Sequence, residues 1–116
     1  MTLVHVPTGE VVASSVDMAL TRSDRRRGLL GRESLAEHEA MFIAPCIAIH
    51  TVGMGFPIDV AFVDANGTVV RMVHSMPPWR VAASIGGCAV IELAAGRLAE
   101  YGVKRGDRLS LTGKPC

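Results

Sequence analysis

The sequence predicts a mainly β domain, a compact sandwich or barrel of about 6–8 short strands with one or two short helices. Short runs rich in Val, Ile and Thr alternate with Gly, Pro and Asn turn residues along its 116 residues. Asn66-Gly67 stands between two such runs and is the strongest of these turn signals. The length is typical of one domain, so we expect a single domain over residues 1–116.

The chain begins with a predicted β-hairpin. Two apolar runs, Leu3–Val6 and Val11–Ser14, flank the sequence PTGE. Proline presets one backbone angle of a turn and glycine relieves another, so these four residues favour a reversal between two strands.

A short helix is expected next, from Arg22 to Leu30. Thr21 and Asp24 have the spacing of a capping box, which satisfies backbone N–H groups at the start of a helix. Gly31 suits the left-handed position that commonly follows the last helical residue. Gly28 inside this segment costs about 1 kcal/mol relative to alanine, a cost often accepted where another group packs closely.

The rest of the chain is expected to be mostly strands. The candidate strands are AMFIA from Ala40, IAIHT from Ile47, residues 58–64, residues 68–76, CAVIELAA from Cys88 and the end of VKRGDRLSL. The runs on either side of Asn66-Gly67 show little polar alternation, so we expect both to be central strands covered on both faces. MPPWR and SIGGC bracket a predicted irregular loop, and GRLAEYG allows one or two helical turns.

Composition restricts the classes of function. The formal charge of +1 gives no electrostatic support for nucleic-acid binding, where a basic stripe is expected. No apolar run reaches the length of a membrane span. The three cysteines, Cys46, Cys88 and Cys116, are widely spaced and form no CxxC motif, and no export signal is recognisable at the N-terminus. We therefore expect a reducing, cytoplasmic setting.

Six short motifs, occurring in order, resemble the domain-of-unknown-function family numbered 192 of bacteria and archaea. The motifs are R-x-x-GLLGR from Arg25, MFIAP from Met41, M-x-F-PIDVAFVD from Met54, G-x-VVR from Gly67, IELAAG from Ile91 and YGVKRGDRL from Tyr101. The resemblance covers about residues 22–111 and implies a compact mainly β domain, but no activity. Met54, Pro57 and Asp59 match the family pattern, whereas the Trp-Met-Lys-Asn-Thr of another branch is replaced here by IHTVGMGF.

Cys46, His50 and Met54 recur at intervals of four, and their side chains are the types that copper prefers. In a strand, residues four apart are separated by about 13 Å, so this triplet shares one ion only if the chain folds sharply at Gly53-Gly55 and again near Ile47. We therefore expect the sulfurs of Cys46 and Met54 to lie further apart than the roughly 4–5 Å that two ligands of one ion span. We expect no metal and no cofactor, and copper handling stays a third hypothesis for the function.

The second hypothesis is a hydrolase or redox enzyme. Cys46 or Cys88 would be its nucleophile and His50 its base. Such a pair must lie within about 3 Å, which Cys46 and His50 cannot achieve along one strand. Buried cysteine is commonly a small hydrophobe, and both thiols therefore need a reactivity test.

Asp59, by contrast, is a charged residue in an apolar strand. Alternation places it on the same face as Ala61 and Val63 and opposite Ile58 and Val60. A bare buried carboxylate is prohibitively costly, so this side chain either ties down a neighbouring loop through backbone N–H groups or an arginine, or serves as the polar group of a ligand pocket.

Trp79 and Arg80 lie in the predicted loop PPWRVAASIGG, and an aromatic residue beside an arginine fits a binding hot spot. The sequence also lacks a phosphate loop and the GxSxG and HExxH motifs. The leading hypothesis is thus a non-enzymatic binding or accessory module. Its candidate ligand-binding residues are His50, Asp59, Trp79 and Arg80, and its partner is an unknown small ligand, peptide or protein.

Overall fold

The computed structural model describes residues 1–112, which form ten strands and two short helices in three open sheets. Cys116 lies outside the described residues. The strands are β1 Thr2–His5, β2 Glu10–Ala13, β3 Ser15–Ala19, β4 Glu39–Ile43, β5 Ala48–His50, β6 Ile58–Val63, β7 Val69–Met76, β8 Val81–Ala83, β9 Ala89–Ala94 and β10 Leu109–Thr112. The helices are α1 Arg22–Arg27 and α2 Arg97–Glu100. The mainly β class is confirmed.

A five-stranded sheet in the order β3-β4-β9-β6-β7 forms the middle layer of the domain. Its pairs are antiparallel except β3 with β4, which run parallel. Every residue of β6 and β9 is buried, so both strands are covered on both faces. This explains why their sequences are almost continuously apolar.

Two hydrophobic cores lie on opposite faces of this sheet. The first core joins it to the three-stranded sheet β10-β1-β2 and includes Leu3, Val12 and Leu93. The second core lies beneath the segment after α1 and the two-stranded ribbon β5-β8, and it includes Leu29 and Ile49. The chain therefore forms three layers. Side chains of β9 that point toward the second core are covered by the α1 segment and β5.

The hairpin predicted at Asn66-Gly67 is confirmed. β6 and β7 pair antiparallel, and the Gly67 N–H donates to the Asp64 carbonyl at 3.0 Å to close the turn. The expectation that both strands are central is correct for β6 and wrong for β7, which is an edge strand of the sheet. Arg71 and His74 interrupt the apolar run of β7, and charged side chains are typical of edge strands, where they discourage pairing with another chain.

Helix α1 is shorter than predicted. The capping interaction is present, since the Asp24 N–H donates to Thr21 Oγ1 at 3.0 Å. Gly28, rather than Gly31, follows the last helical residue, with φ of 48°. A glycine at positive φ is the usual means of ending a helix, and the first available one is used.

The sequence does not predict strands β3 and β8, because each is a short run that lies directly beside another element.

We expect Gly67→Ala to destabilise the protein by about 2–3 kcal/mol. Gly67 has φ of 82°, and a Cβ there would lie 2.4 Å from the Leu109 carbonyl oxygen, which is backbone and cannot move aside easily. Gly9→Ala is the matched control: φ is 72°, but no atom lies within 4 Å of the added Cβ, so it should cost only about 1 kcal/mol of backbone strain. Urea denaturation compares the two variants, and equal losses would contradict the packing argument.

Candidate functional site

A cleft of about 190 Å³ lies between the end of α1 and the strand β5, above the second core. We call it the Glu92 cleft. Its lining combines charged, thiol and apolar side chains: Arg25, Arg26, Arg27, Gly28, Leu29, Leu30, Ile43, Cys46, Ala48, Ile49, His50, Met54 and Glu92. This volume is below the roughly 300–1,000 Å³ of sites for drug-sized molecules, so the cleft suits a small ligand.

Glu92 is the unusual residue of the cleft. It lies in the middle of the central strand β9, directly between Met41 of β4 and Val60 of β6. The residue is only 5% exposed, and none of the hydrogen bonds within residues 1–112 involves its carboxyl group, whose oxygens are not sealed in the core: the enclosed polar side-chain atom without a partner in these residues is Arg97 Nε. The Glu92 carboxyl group therefore opens onto the cleft, where a group that enters can hydrogen-bond to it.

Burial raises the pKa of the Glu92 carboxyl from its usual 4.5 to about 7. The cause is desolvation alone, because taking the charged form out of water is costly and no neighbouring cation compensates for it. Near neutral pH the group therefore exists as both neutral acid and carboxylate. A carboxyl that exchanges protons in this range within a cleft is a common feature of functional sites.

Three arginines line the same cleft. Arg25, Arg26 and Arg27 form the last turn of α1, and none of them has a carboxylate within 4.0 Å in the described part of the chain. Gly28 ends the helix against Glu92: a Cβ at this glycine would be 3.9 Å from Glu92 Oε1. The helix end thus brings uncompensated positive charge to the mouth of a cleft that contains a buried acid.

Cys46, His50 and Met54 line the cleft together, because the chain turns sharply after β5. The Met54 N–H donates to the Thr51 carbonyl at 3.1 Å, and Gly53 adopts φ of 84° within this turn. One of the two folds that a shared ion would require, the one near Gly53, is therefore present. Among the described residues, no group of three His, Cys, Asp or Glu side chains has the geometry of a metal site. The separation expected between the two sulfurs stays a prediction.

The Cys46 thiol is not arranged as an activated nucleophile. It donates to the Ala48 carbonyl oxygen at 3.0 Å, and burial raises its pKa above the usual value. His50 Nδ1 accepts a hydrogen bond from the Val52 N–H at 3.2 Å. Catalytic cysteines have depressed pKa values that supply the thiolate at neutral pH, so this environment opposes the enzyme hypothesis for Cys46.

We expect iodoacetamide near neutral pH to alkylate Cys46 more slowly than Cys88. Cys46 is partly buried with a raised pKa, whereas Cys88 is exposed. The thiolate is the reacting form, so the difference should be at least about tenfold. Peptide-resolved mass spectrometry over time gives both rates in one sample. Faster alkylation at Cys46 would restore the cysteine-enzyme hypothesis.

Asp59 is fully buried on the opposite face of the sheet from the Glu92 cleft. Its Oδ1 accepts from the Ser75 N–H at 2.7 Å, and its Oδ2 accepts from the Leu98 N–H at 2.9 Å. The expectation that backbone N–H groups bind this carboxylate is confirmed. Both oxygens are engaged by backbone N–H groups, so Asp59 has a structural role, and the ligand-binding role that the sequence also allows stays a prediction.

Trp79 and Arg80 lie beside the β5-β8 ribbon and do not line the Glu92 cleft. Buried Thr51 holds their loop: its hydroxyl accepts from the Arg80 N–H at 2.9 Å and donates to the Pro77 carbonyl at 2.7 Å. Trp79 is 66% exposed, and its backbone φ is 64°. Of the predicted site residues, the structure therefore brings Cys46 and His50 to one cleft and leaves Asp59, Trp79 and Arg80 elsewhere.

Glu92 was missed by the reasoning from sequence, although one signal was available. The motif IELAAG places a carboxylate inside an otherwise apolar strand, as PIDVAFVD does for Asp59. Only Asp59 was singled out as a buried charge that needs a partner. The same cost argument applied to Glu92 would have predicted a second special site.

Comparison with known proteins supports the fold. The family model "DUF192: Uncharacterized ACR, COG1430" matches residues 4–111. A protein of unknown function from Novosphingobium aromaticivorans DSM 12444 is similar in structure, with a TM-score of 0.81 at 24% identity over 95% of this chain and 82% of that chain. A candidate transcription regulator from Sinorhizobium meliloti 1021 also gives 0.81, at 25% identity over 94% and 89% of the two chains. No curated protein matches the chain.

No helix among residues 1–112 is long and apolar enough to cross a membrane.

Proposed function

The chain belongs to the DUF192 family, and on this premise we propose that it is a non-enzymatic binding module whose ligand site is the Glu92 cleft. The observation that carries the proposal is Glu92, a largely buried residue of the central strand whose carboxyl group lines the cleft and has no hydrogen-bond partner in the described residues. A ligand that supplies the missing hydrogen bond would offset the cost of burying this group.

The surroundings favour binding over catalysis. Covalent catalysis needs an activated nucleophile, and the pKa of the nearest thiol, that of Cys46, is raised rather than lowered. His50 lies at the cleft, but its Nδ1 already accepts a backbone hydrogen bond. What remains is a small polar recess with apolar walls, which is the usual composition of a binding site. We place the module in a reducing, cytoplasmic setting, in keeping with its free thiols at positions 46 and 88.

The test is an NMR titration of the ¹⁵N-labelled protein with single small probes of each charge class. The probes are oxalate and sulfate as anions, ethylammonium and guanidinium as cations, and glycerol as a neutral molecule. Saturable shifts of backbone amides around Glu92, Gly28 and His50 would support the proposal. Saturable shifts confined to Trp79–Ile85 would move the site to the ribbon. If none of the probes causes saturable shifts, a small-ligand site in the cleft would be refuted.

The control variant is Glu10→Gln. Glu10 is an exposed carboxylate of β2 and lines none of the cleft, so its neutralisation changes the net charge without altering the site. Glu92→Gln should change the probe affinity, and Glu10→Gln should leave it unchanged. Equal effects of both variants would show that only the overall charge of the protein matters.

A further inference from the structure

The structure also indicates the charge of the ligand, an inference that rests on the proposed function. We propose that the Glu92 cleft takes a small anion with carboxylate or oxyanion oxygens, and that Glu92 donates a hydrogen bond to it as the neutral acid. Carboxylates and inorganic oxyanions share this chemistry of acceptor oxygens on a negative group. The proposal names a site, a ligand class and the form of the acid that recognises it.

The charges around the cleft favour an anion. Its titratable and charged groups are Arg25, Arg26 and Arg27 from α1, Cys46 and His50 from the β5 side, and Glu92 from β9. The groups paired with Glu92 across the sheet, Met41 and Val60, are uncharged. Three arginines without carboxylate partners in the described chain therefore line a cleft that contains one acid. Arginine forks match the geometry of planar carboxylates and of oxyanions.

Glu92 at the floor of the cleft does not repel an anion when its carboxyl group is neutral. A carboxylate held beside an anion would cost energy, but a neutral carboxylic acid offers an O–H donor. Glu92 is held neutral up to about pH 7 by burial, and a negative ligand beside it favours the neutral form further. The anion and one proton therefore bind together above neutral pH, the proton being taken from solvent by the Glu92 carboxylate.

Size supports a small anion. About 190 Å³ corresponds to roughly six water molecules at about 30 Å³ each. Oxalate, sulfate and similar few-atom anions fit such a space. The arginines at the mouth contact an anion that enters only part of the way, and Glu92 contacts the part that reaches the floor.

The experiment measures the dissociation constants of oxalate and of sulfate from about pH 6 to about pH 8.5, where neither anion changes its own charge. For the unmodified protein we expect affinity to fall by up to about tenfold per pH unit above pH 7. Glu92→Gln keeps a neutral donor in place, so its affinity should be independent of pH and tighter than that of the unmodified protein at pH 8.5. The oxalate and sulfate series separately show whether carboxylate or inorganic oxyanion oxygens are preferred.

Two further variants assign the charges. Arg27→Gln should weaken anion binding at least fivefold, whereas the matched control Arg22→Gln, on the same helix but outside the cleft, should not. His50→Gln should keep the pH dependence. Loss of the pH dependence in His50→Gln, or its retention in Glu92→Gln, would overturn the assignment of the proton.

The outcomes separate this inference from the proposed function. Saturable cleft shifts with ethylammonium, guanidinium or glycerol, but with neither anion, would overturn the anion assignment and leave the binding module standing. No cleft shifts with any probe would refute both. If Arg22→Gln and Arg27→Gln weaken anion binding equally relative to the unmodified protein, the arginines act only by nonspecific attraction. This result would overturn the anion inference and leave the binding module standing.

Discussion

Asp59→Ala is expected to lower the free energy of unfolding by about 3–6 kcal/mol, because hydrogen bonds to a charged group contribute about 1.5–3 kcal/mol each and two are lost. The variant leaves the N–H groups of Ser75 and Leu98 without their acceptor in the interior. A single domain has about 5–15 kcal/mol of stability in total, so the loss would be a large share. We expect the melting temperature to fall by about 10 °C or more.

The physical role of Asp59 explains the size of this effect. Helix α2 begins after Gly96, which has no side chain to cap the helix, and Asp59 of β6 supplies the acceptor for the Leu98 N–H instead. Its other oxygen holds Ser75, a residue with φ of 46° at an irregularity in the β6–β7 pairing. One carboxylate therefore fixes a helix start and a strand bulge at once, so its removal should disturb both.

The control for this prediction is Asp64→Ala. Asp64 also accepts two backbone N–H bonds, from Asn66 and Thr68, but in the exposed hairpin turn, where water can replace the carboxylate. Its loss should cost only about 1 kcal/mol. Asp59→Asn should fall between Asp59→Ala and the unmodified protein, since it keeps one acceptor oxygen but faces the second donor with an NH₂ group. Thermal and urea melts measure all three, and a loss for Asp59→Ala no larger than that for Asp64→Ala would contradict the role of burial.

The strands of the middle layer could be predicted because local sequence and tertiary position agree there. The run Ile58–Val63 is apolar on both faces and lies inside the sheet, and Asn66-Gly67 forms the turn that its sequence favours. β7 was placed wrongly at the centre, because its valines and methionines were given more weight than Arg71 and His74, which interrupt the apolar run. The edge is decided by which strands remain unpaired, and that is a property of the whole topology.

The candidate site was only partly predictable, since clefts join residues that are distant in sequence. The sequence places Arg25–Arg27 in a predicted helix and Glu92 in a predicted apolar strand, and it offers Cys46 and His50 as metal ligands or catalytic residues. Their meeting depends on the early end of α1 at Gly28 and on the turn at Gly53. Both glycines have positive φ, which allows the chain to bend there. A glycine in the sequence predicts such a bend but not which distant residues the bend brings together.

Glu92→Gln is expected to stabilise the protein by about 3 kcal/mol at a pH above 7 and to change it little near pH 5. The folded-state pKa of about 7 exceeds the ordinary value of 4.5, so the folded protein binds the proton more tightly than the unfolded chain does. Each pKa unit corresponds to about 1.4 kcal/mol, and a shift of this size gives the stated figure as an order of magnitude. Below pH 4.5 the group is neutral in both states and costs nothing; as pH rises from 4.5 to 7 the cost of ionising it grows, and above 7 it is complete.

The measurement is urea denaturation of the unmodified protein and of Glu92→Gln at about pH 5 and about pH 8.5. Glu10→Gln is again the control, since the exposed Glu10 should give the same small difference at both pH values. A stability gain in Glu92→Gln that is equal at both pH values would mean that the side chain, rather than its charge, is the unfavourable group. A variant that gains stability but loses its pH-dependent response to anions would show why the acid is present, because residues that serve a site are commonly retained at a cost to stability.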